Sequence, residues 1–440
     1  MRRALAVGFL GMLLLTFLVG TFAQAESTED LLIRLLVKKG ILTEEEIQAL
    51  KKEAEATTPA ISQPAPGDLV DTLRDEVRED LQRHDEESIA LSLTVEGEGR
   101  WRARQDVGNK NSGSTSDLFL RRALLGFEAK VTDFALARLA LTSEWLGAQT
   151  TDQGQVADES VTVDEGTLTL AKEGYPLYAV VGKRTQPFGA FFPRLVTDPM
   201  SQDAYEVKGV GATLGFRHPG TDRASWGKDF SFTFYRGKEQ LNHFFESGLF
   251  DPGAVVRSTS AGFRRETKQF SSFILSSTLS PNKDLALGTA YLSEPGESRR
   301  NQTGAIWAGY TWGRWAAETE FLAALSRERY VLQSTGERFG TSFKEKVLVL
   351  GLSYKPTMAL ELATRYERLW DNGLADAAET WSARNRLSLG AGYTLYERED
   401  VGVRLLGEYR FTDYRRGGAA REVAAPSQNE AFMKLIVSYK

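Results

Sequence analysis

The chain of 440 residues has no cysteine. That excludes disulfide staples, thiolate metal sites and a lipid-modified N-terminal cysteine. It has three histidines, His84, His218 and His243, and none stands near a nucleophile motif. Ser-His-Asp chemistry therefore has no visible basis. Metal-ligand clusters and phosphate-cradling glycine loops are missing as well, so neither an enzyme nor a cofactor is expected, and no nucleic-acid partner. Prolines number only 13, and mean hydropathy is −0.31. Beyond the N-terminus no apolar run is long enough for a transmembrane helix, which excludes a helical membrane protein. A barrel is not excluded, because its outward apolar residues are diluted one-for-one by inward polar ones.

What is present begins with an export pattern. Met1-Arg-Arg is a basic start, Ala4 to Phe22 an apolar stretch, and Ala23-Gln24-Ala25 a small-x-small cleavage site. Residues 1–25 are read as a signal peptide, with an uncleaved anchor as the alternative. Residues 26–87 carry 8 Lys/Arg against 17 Asp/Glu, while residues 88–440 carry 44 against 42. The acidity thus belongs to an N-terminal appendage of three pieces. Residues 26–56 read as a helix-turn-helix, with leucines at helical spacing, Gly40 as a stop and a Thr43/Glu46 capping box. Residues 57–67 are a Pro-rich linker, and residues 68–87 a charged spacer or coiled-coil helix striped by Leu69, Leu73, Val77 and Leu81. Contact with a cell wall through 26–87 is the partner this appendage suggests, and a tether of that kind is the alternative function.

From Ser88 onward one unit repeats: an alternating strand, a tight turn, a second strand, a long polar loop. The last strand shows it, with Ala431, Met433, Leu435, Val437 and Tyr439 on one face. Sixteen strands are expected, near 88–105, 117–131, 134–146, 161–172, 177–184, 206–217, 229–237, 268–280, 284–293, 302–312, 314–326, 343–355, 358–370, 383–396, 400–414 and 429–440. Connections alternate between short and long, and the count is even. The fold class is therefore all-β, a 16-stranded antiparallel transmembrane barrel over 88–440 with a short N-terminal helical extension. Such a barrel belongs in the outer membrane of a Gram-negative-type bacterium, against lipid, with both termini in the periplasm. Trp101, Trp145, Trp312, Trp315, Trp370, Tyr354 and Tyr393 lie toward strand ends, where aromatic girdles form.

Alternation also assigns the lumen. Arg100, Arg102, Arg104 and Arg122 on the first two strands, with Arg384, Arg386, Arg404 and Arg410 on the fourteenth and fifteenth, point inward. Closing the barrel makes these four strands one basic arc, which faces acidic positions Glu318, Glu320 and Glu361. A transverse field across the channel follows, unless the inward Arg and Glu pair in ladders within the wall. The interior is expected to hold Arg, Glu, Ser and Gly rather than bulky apolar side chains. The loop from about 184 to 206 is unusually apolar (Pro187, Phe188, Phe191, Phe192, Pro193, Leu195). It either folds into the barrel, taking Lys183, Arg184 and Arg194 to a constriction, or clasps a neighbouring subunit.

Two segments resemble a known family. Phe119-Leu-Arg-Arg-Ala-Leu-Leu-Gly-Phe-Glu-Ala-Lys130, with Asp133-Phe134 after it, is similar to the paired-arginine strand of the phosphate-selective porins of the O/P type. Val180-Val-Gly-Lys-Arg-Thr-Gln-Pro-Phe-Gly189 is similar to that family's segment before the third loop. The resemblance implies a homotrimer of 16-stranded barrels, each narrowed by its third loop. It also implies passive diffusion of small hydrophilic solutes, with anions such as phosphate favoured by basic residues on loop and wall.

Overall fold

In the computed structural model, the described residues are 89–105, 113–148, 158–220, 226–237, 249, 256–258, 270–296, 299–332, 342–377, 381–417 and 427–439. The expected signal peptide, helix-turn-helix, linker and spacer helix lie outside them. The first seven strands are β1 (Ile89–Gln105), β2 (Gly113–Thr132), β3 (Ala135–Leu146), β4 (Asp158–Ala171), β5 (Leu177–Thr185), β6 (Lys208–His218) and β7 (Gly227–Tyr235). Next come β8 (Val256–Ser258), β9 (Ser272–Asn282), β10 (Leu285–Glu294), β11 (Asn301–Trp312), β12 (Trp315–Ser326) and β13 (Tyr330–Leu332). The last five are β14 (Lys346–Tyr354), β15 (Leu360–Trp370), β16 (Trp381–Glu397), β17 (Val401–Arg416) and β18 (Ser427–Tyr439). Two short helices, α1 (Met200–Tyr205) and α2 (Leu374–Ala377), lie in connections.

Sixteen of these strands form one closed antiparallel barrel, sealed by β1 against β18 from Leu93↔Tyr439 to Gln105↔Ser427. Each of the sixteen coincides with a strand expected from alternation. The other two, β8 and β13, pair with each other as a separate ribbon between two long connections. All tight turns lie on one rim and all long connections on the other, because each hairpin returns the chain antiparallel.

Alternation sets two faces. Leu91, Leu93, Leu139, Val163, Leu168, Leu214, Phe230, Leu350, Leu389, Met433 and Leu435 are exposed on the outside. The turn rim carries a row of rings: Tyr310–Trp312 at 5.5 Å, Trp312–Trp315 at 6.3 Å and Trp315–Tyr354 at 4.4 Å between centroids. Trp145, expected in a girdle, does otherwise. It stacks on buried Phe119 at 5.3 Å and lies under Arg100 and Arg121, where a polar wall rather than an interface holds the indole.

The expectation of an interior free of bulky apolar groups needs correction. Inward positions of β9–β16 include Ile274, Leu292, Leu322, Val347, Val349 and Leu369, all buried. They form one cluster with Phe188, Met200, Ala204, Tyr205 and Val207 from the connection between β5 and β6. Strands such as Lys346–Tyr354 are apolar on both faces, the pattern of a strand buried on two sides. Here the inner face is covered by a loop.

Candidate functional site

The connection over 186–207 folds into the barrel, and this decides between the two alternatives left by its sequence. Gly189 has φ 87°, a left-handed conformation that L side chains avoid, and it opens the inward turn. From there the loop crosses to strands on the far wall. The Glu320 carboxylate accepts from the Ala190 N–H at 2.6 Å and from the Ser201 hydroxyl at 2.6 Å. Arg194 donates to Glu318 and, at 2.9 Å, to Glu361. The Thr197 N–H and hydroxyl both reach Glu408 at 2.7 Å, and Arg365 holds the Thr197 carbonyl at 3.0 Å. Asp203 in α1 binds Arg386 at 2.9 Å. Desolvation pushes the Asp203 carboxyl above the ordinary carboxylate range, and Arg386 opposes that rise. Leu195 packs so closely on β16 that a Cβ at Gly390 would stand 2.5 Å from it.

These contacts explain the acidic residues of the far wall. Glu318, Glu320, Glu361, Glu367 and Glu408 serve as sockets for the loop's backbone and cations, instead of a bare negative surface. A carboxylate that accepts two or three donors is well satisfied in a confined space, which is why anions rather than hydroxyls recur here.

The predicted basic arc is assembled, and most of it is paired. Arg100 meets Glu98 at 3.0 Å, and Lys434 meets Glu96 at 3.1 Å. Arg102 at 2.9 Å and Arg410 at 2.7 Å share the buried Glu430. Arg122 meets Asp164 at 2.9 Å, and Lys208 joins the same carboxylate. Arg386 serves α1 and lies 4.0 Å from Glu367. Arg104 lies opposite Gln428, its side chain outside the described residues. Arg384, expected inward, is corrected by a bulge of β16 that turns its neighbour Ala383 into the interior opposite Tyr414 and leaves Arg384 exposed on the other side. Arg404 in β17 is exposed, and among the described residues neither has an ion pair.

The loop-side cations divide. Arg194 reaches the constriction. Arg184 points into the lumen and donates to the Thr213 hydroxyl at 2.7 Å. Lys183, expected beside the constriction, is corrected by strand alternation: it shares the outward parity of Leu177 and Val181, and its ammonium reaches the Val163 carbonyl at 2.6 Å.

With the loop fixed to the far wall, space remains on the near side. A half-enclosed cavity of about 380 Å³ runs along β2–β7 and β9, bounded by Pro187 of the loop. Arg138, Arg184, Arg217, Glu128, Glu165 and Asp229 reach into it. Arg138, Arg217, Glu128, Glu165 and Asp229 were not singled out by sequence, although their inward parity was readable.

No protein-family profile matches the sequence, and no curated protein matches it. Solved structures do match in shape. The outer-membrane channel DcaP of Acinetobacter baumannii is 12% identical with a TM-score of 0.51, covering 80% of this chain and 97% of that one. An anion-selective porin from Comamonas acidovorans is 11% identical at 0.52, covering 80% and 100%. Pseudomonas putida OprB is 10% identical at 0.53, covering 83% and 97%. What these similarities establish is the fold: a closed 16-stranded barrel of the porin type.

Proposed function

We propose that this protein is an outer-membrane channel through which small hydrophilic solutes diffuse passively, with a preference for anions. The observation that supports it most is the loop over 186–207, bound to one wall by carboxylate sockets while a charged cavity stays open along the other. A scaffold has no need to narrow its lumen on one side only. The outward apolar face and ring-lined turn rim suit a bilayer, with the strands as the spanning elements. In this reading the turn rim and the N-terminal segment face the periplasm. The anion preference rests on Arg184 and Arg404, which have no ion pair among the described residues, and on arginine's permanent charge.

Assembly as a homotrimer belongs to the same proposal. Large exposed apolar residues on β1–β4 are all Ile, Leu or Val, whereas Trp and Tyr crowd the rim from β11 to β18. A mainly aliphatic sector, with Phe134 exposed in its β2–β3 turn, suits contact between copies. Native mass measurement of the detergent-solubilised protein tests this, and a monomer refutes it.

For the channel, purified protein in a planar bilayer gives stepwise conductance, and a salt gradient gives a reversal potential of anionic sign. Absence of any conductance across salts and voltages removes the channel. A cationic reversal potential removes the anion preference alone. Phosphate as the favoured anion is tested by its competition with chloride: equal exclusion of phosphate and sulfate refutes it.

A further inference from the structure

The cavity beside the loop has more to say about its solute than the arginines do. Its ionisable lining is Arg138, Arg184 and Arg217 against Glu128, Glu165 and Asp229, a net charge of 3 − 3 = 0. Arg217 holds Asp229 at 2.7 Å, and the Tyr178 hydroxyl donates to the same carboxylate at 2.8 Å. The Arg217 guanidinium also covers the Tyr178 ring at 4.9 Å. Arg138 lies 3.8 Å from Glu165, whose carboxylate accepts from Thr167 at 3.4 Å. Between these groups stand the hydroxyls of Thr169, Ser231, Ser276 and Thr278. Small apolar surfaces come from Val180, Leu136 and Pro187.

A cavity whose lining sums to zero offers a simple anion little net attraction: Arg138 and Arg217 are each paired with a carboxylate, and Arg184 is spent on the Thr213 hydroxyl. It offers a dense alternation of donors and acceptors instead. A guanidinium presents five N–H donors in a fixed fork, and a carboxylate accepts on both oxygens. Both geometries span two adjacent hydroxyls. Serine and threonine hydroxyls donate or accept as needed, and the apolar strip suits C–H faces.

We infer that this cavity is a weak binding site for neutral polyhydroxylated solutes, of the size and chemistry of a monosaccharide. The inference rests on the channel reading for its transport role, but the binding itself does not depend on it. Weak binding is what passage demands, because a tight site would hold its solute.

The test compares three solutes of one skeleton that differ in charge: glucose (neutral), gluconate (anionic) and glucosamine (cationic). Each is titrated into the detergent-solubilised full chain by calorimetry, and in parallel each is added to single channels carrying chloride current. Glucose is expected to bind saturably near about 1 mM or weaker, with neither charged analogue more than about threefold tighter. Arg217→Gln and Asp229→Asn are each expected to weaken glucose about tenfold, with folding of each variant verified by its heat-modifiable gel mobility. Gluconate bound tenfold tighter than glucose overturns the inference in favour of an anion site, and glucosamine bound so overturns it in favour of a cation site. Saturable binding of none of the three overturns it outright. Glucose binding without conductance upholds the site and sinks the channel reading, whereas conductance without glucose binding does the reverse.

Discussion

On β9 to β16 the inward face holds an apolar cluster and a set of carboxylate sockets, both packed under a loop; on β1 to β4, β17 and β18 many inward residues are charged and paired with one another along the wall. Both halves use the same pleat, and the difference lies in what covers them. Apolar inward positions such as Leu322, Val347 and Leu369 gain about 1.5–3 kcal/mol each only when burial removes them from water. The loop over 186–207 supplies that cover with Phe188, Met200 and Tyr205. The loop's other end touches β17 and β18 through Thr197 on Glu408 and Val196 on Leu406 and Phe432, whereas β2 to β4 keep polar inward residues that spend their charges on neighbours. One wall seats the loop and the other bounds the passage.

The division is most severely tested by placing a charge in each half. Leu322→Asp buries an unpaired carboxylate in the covered half, at a cost of several kcal/mol. We expect loss of the heat-modifiable folded form on gels. Thr169→Asp, in the open half, is expected to fold within about 1 kcal/mol of the parent. If both variants fold equally well, the two halves are not built differently.

A smaller effect is expected from removing one socket. Glu320→Ala orphans the Ala190 N–H and the Ser201 hydroxyl, both within 2.6 Å of that carboxylate. Each buried group left unsatisfied costs about 1–3 kcal/mol. The remaining sockets at Glu361, Glu408 and Arg386 keep the loop inside, so the expected outcome is a noisier open-channel current and a lower thermal midpoint, with the barrel folded. An unchanged midpoint and quiet current would mean that Glu320 does not hold the loop.

Selectivity separates paired from unpaired arginines. Arg404 is exposed and has no ion pair among the described residues, whereas Arg102 retreats against Glu430, which Arg410 continues to neutralise if Arg102 is lost. The larger shift of reversal potential toward cations is therefore expected from Arg404→Ala, and the smaller from Arg102→Ala. The opposite order places the ion path along β1 instead.

How much of this was legible beforehand varies by kind. All sixteen barrel strands could be read, because period-two alternation and turn residues are local signals. The ribbon of β8 and β13 and the two short helices could not, since three to six residues carry no usable period. The inward parity of Arg100, Arg102 and Arg122 was readable, but their partners were not. Glu430 stands 328 residues from Arg102 in sequence, and only barrel closure brings them together. The apolar half had a signal that alternation alone obscures: Val347-Leu348-Val349-Leu350 is apolar on both faces. Together with the phenylalanines of the 184–206 loop, it points to a strand covered on its inner side. Lys183 misled for the converse reason, because adjacency to Arg184 in sequence means opposite faces in a strand.

The smallest expected effect concerns the α1 end of the loop, where Asp203 meets Arg386. Desolvation raises this carboxyl above its unfolded value, so on acidification the native state takes up this proton before the unfolded state does. In the window between the raised value and about 4, stability from this group increases as pH falls and decreases as pH rises. Most paired carboxylates have the opposite sign. Asp203→Asn removes the titration but keeps an acceptor for Arg386, which also retains Glu367 at 4.0 Å. The variant is expected to match the parent's stability at pH 7 or exceed it by about 0.5 kcal/mol, read as an equal or slightly higher thermal midpoint, with the gain vanishing below about pH 4. A variant less stable at pH 7, with the deficit closing in acid, would show that the ion pair outweighs desolvation and that the charged form of Asp203 helps fasten α1.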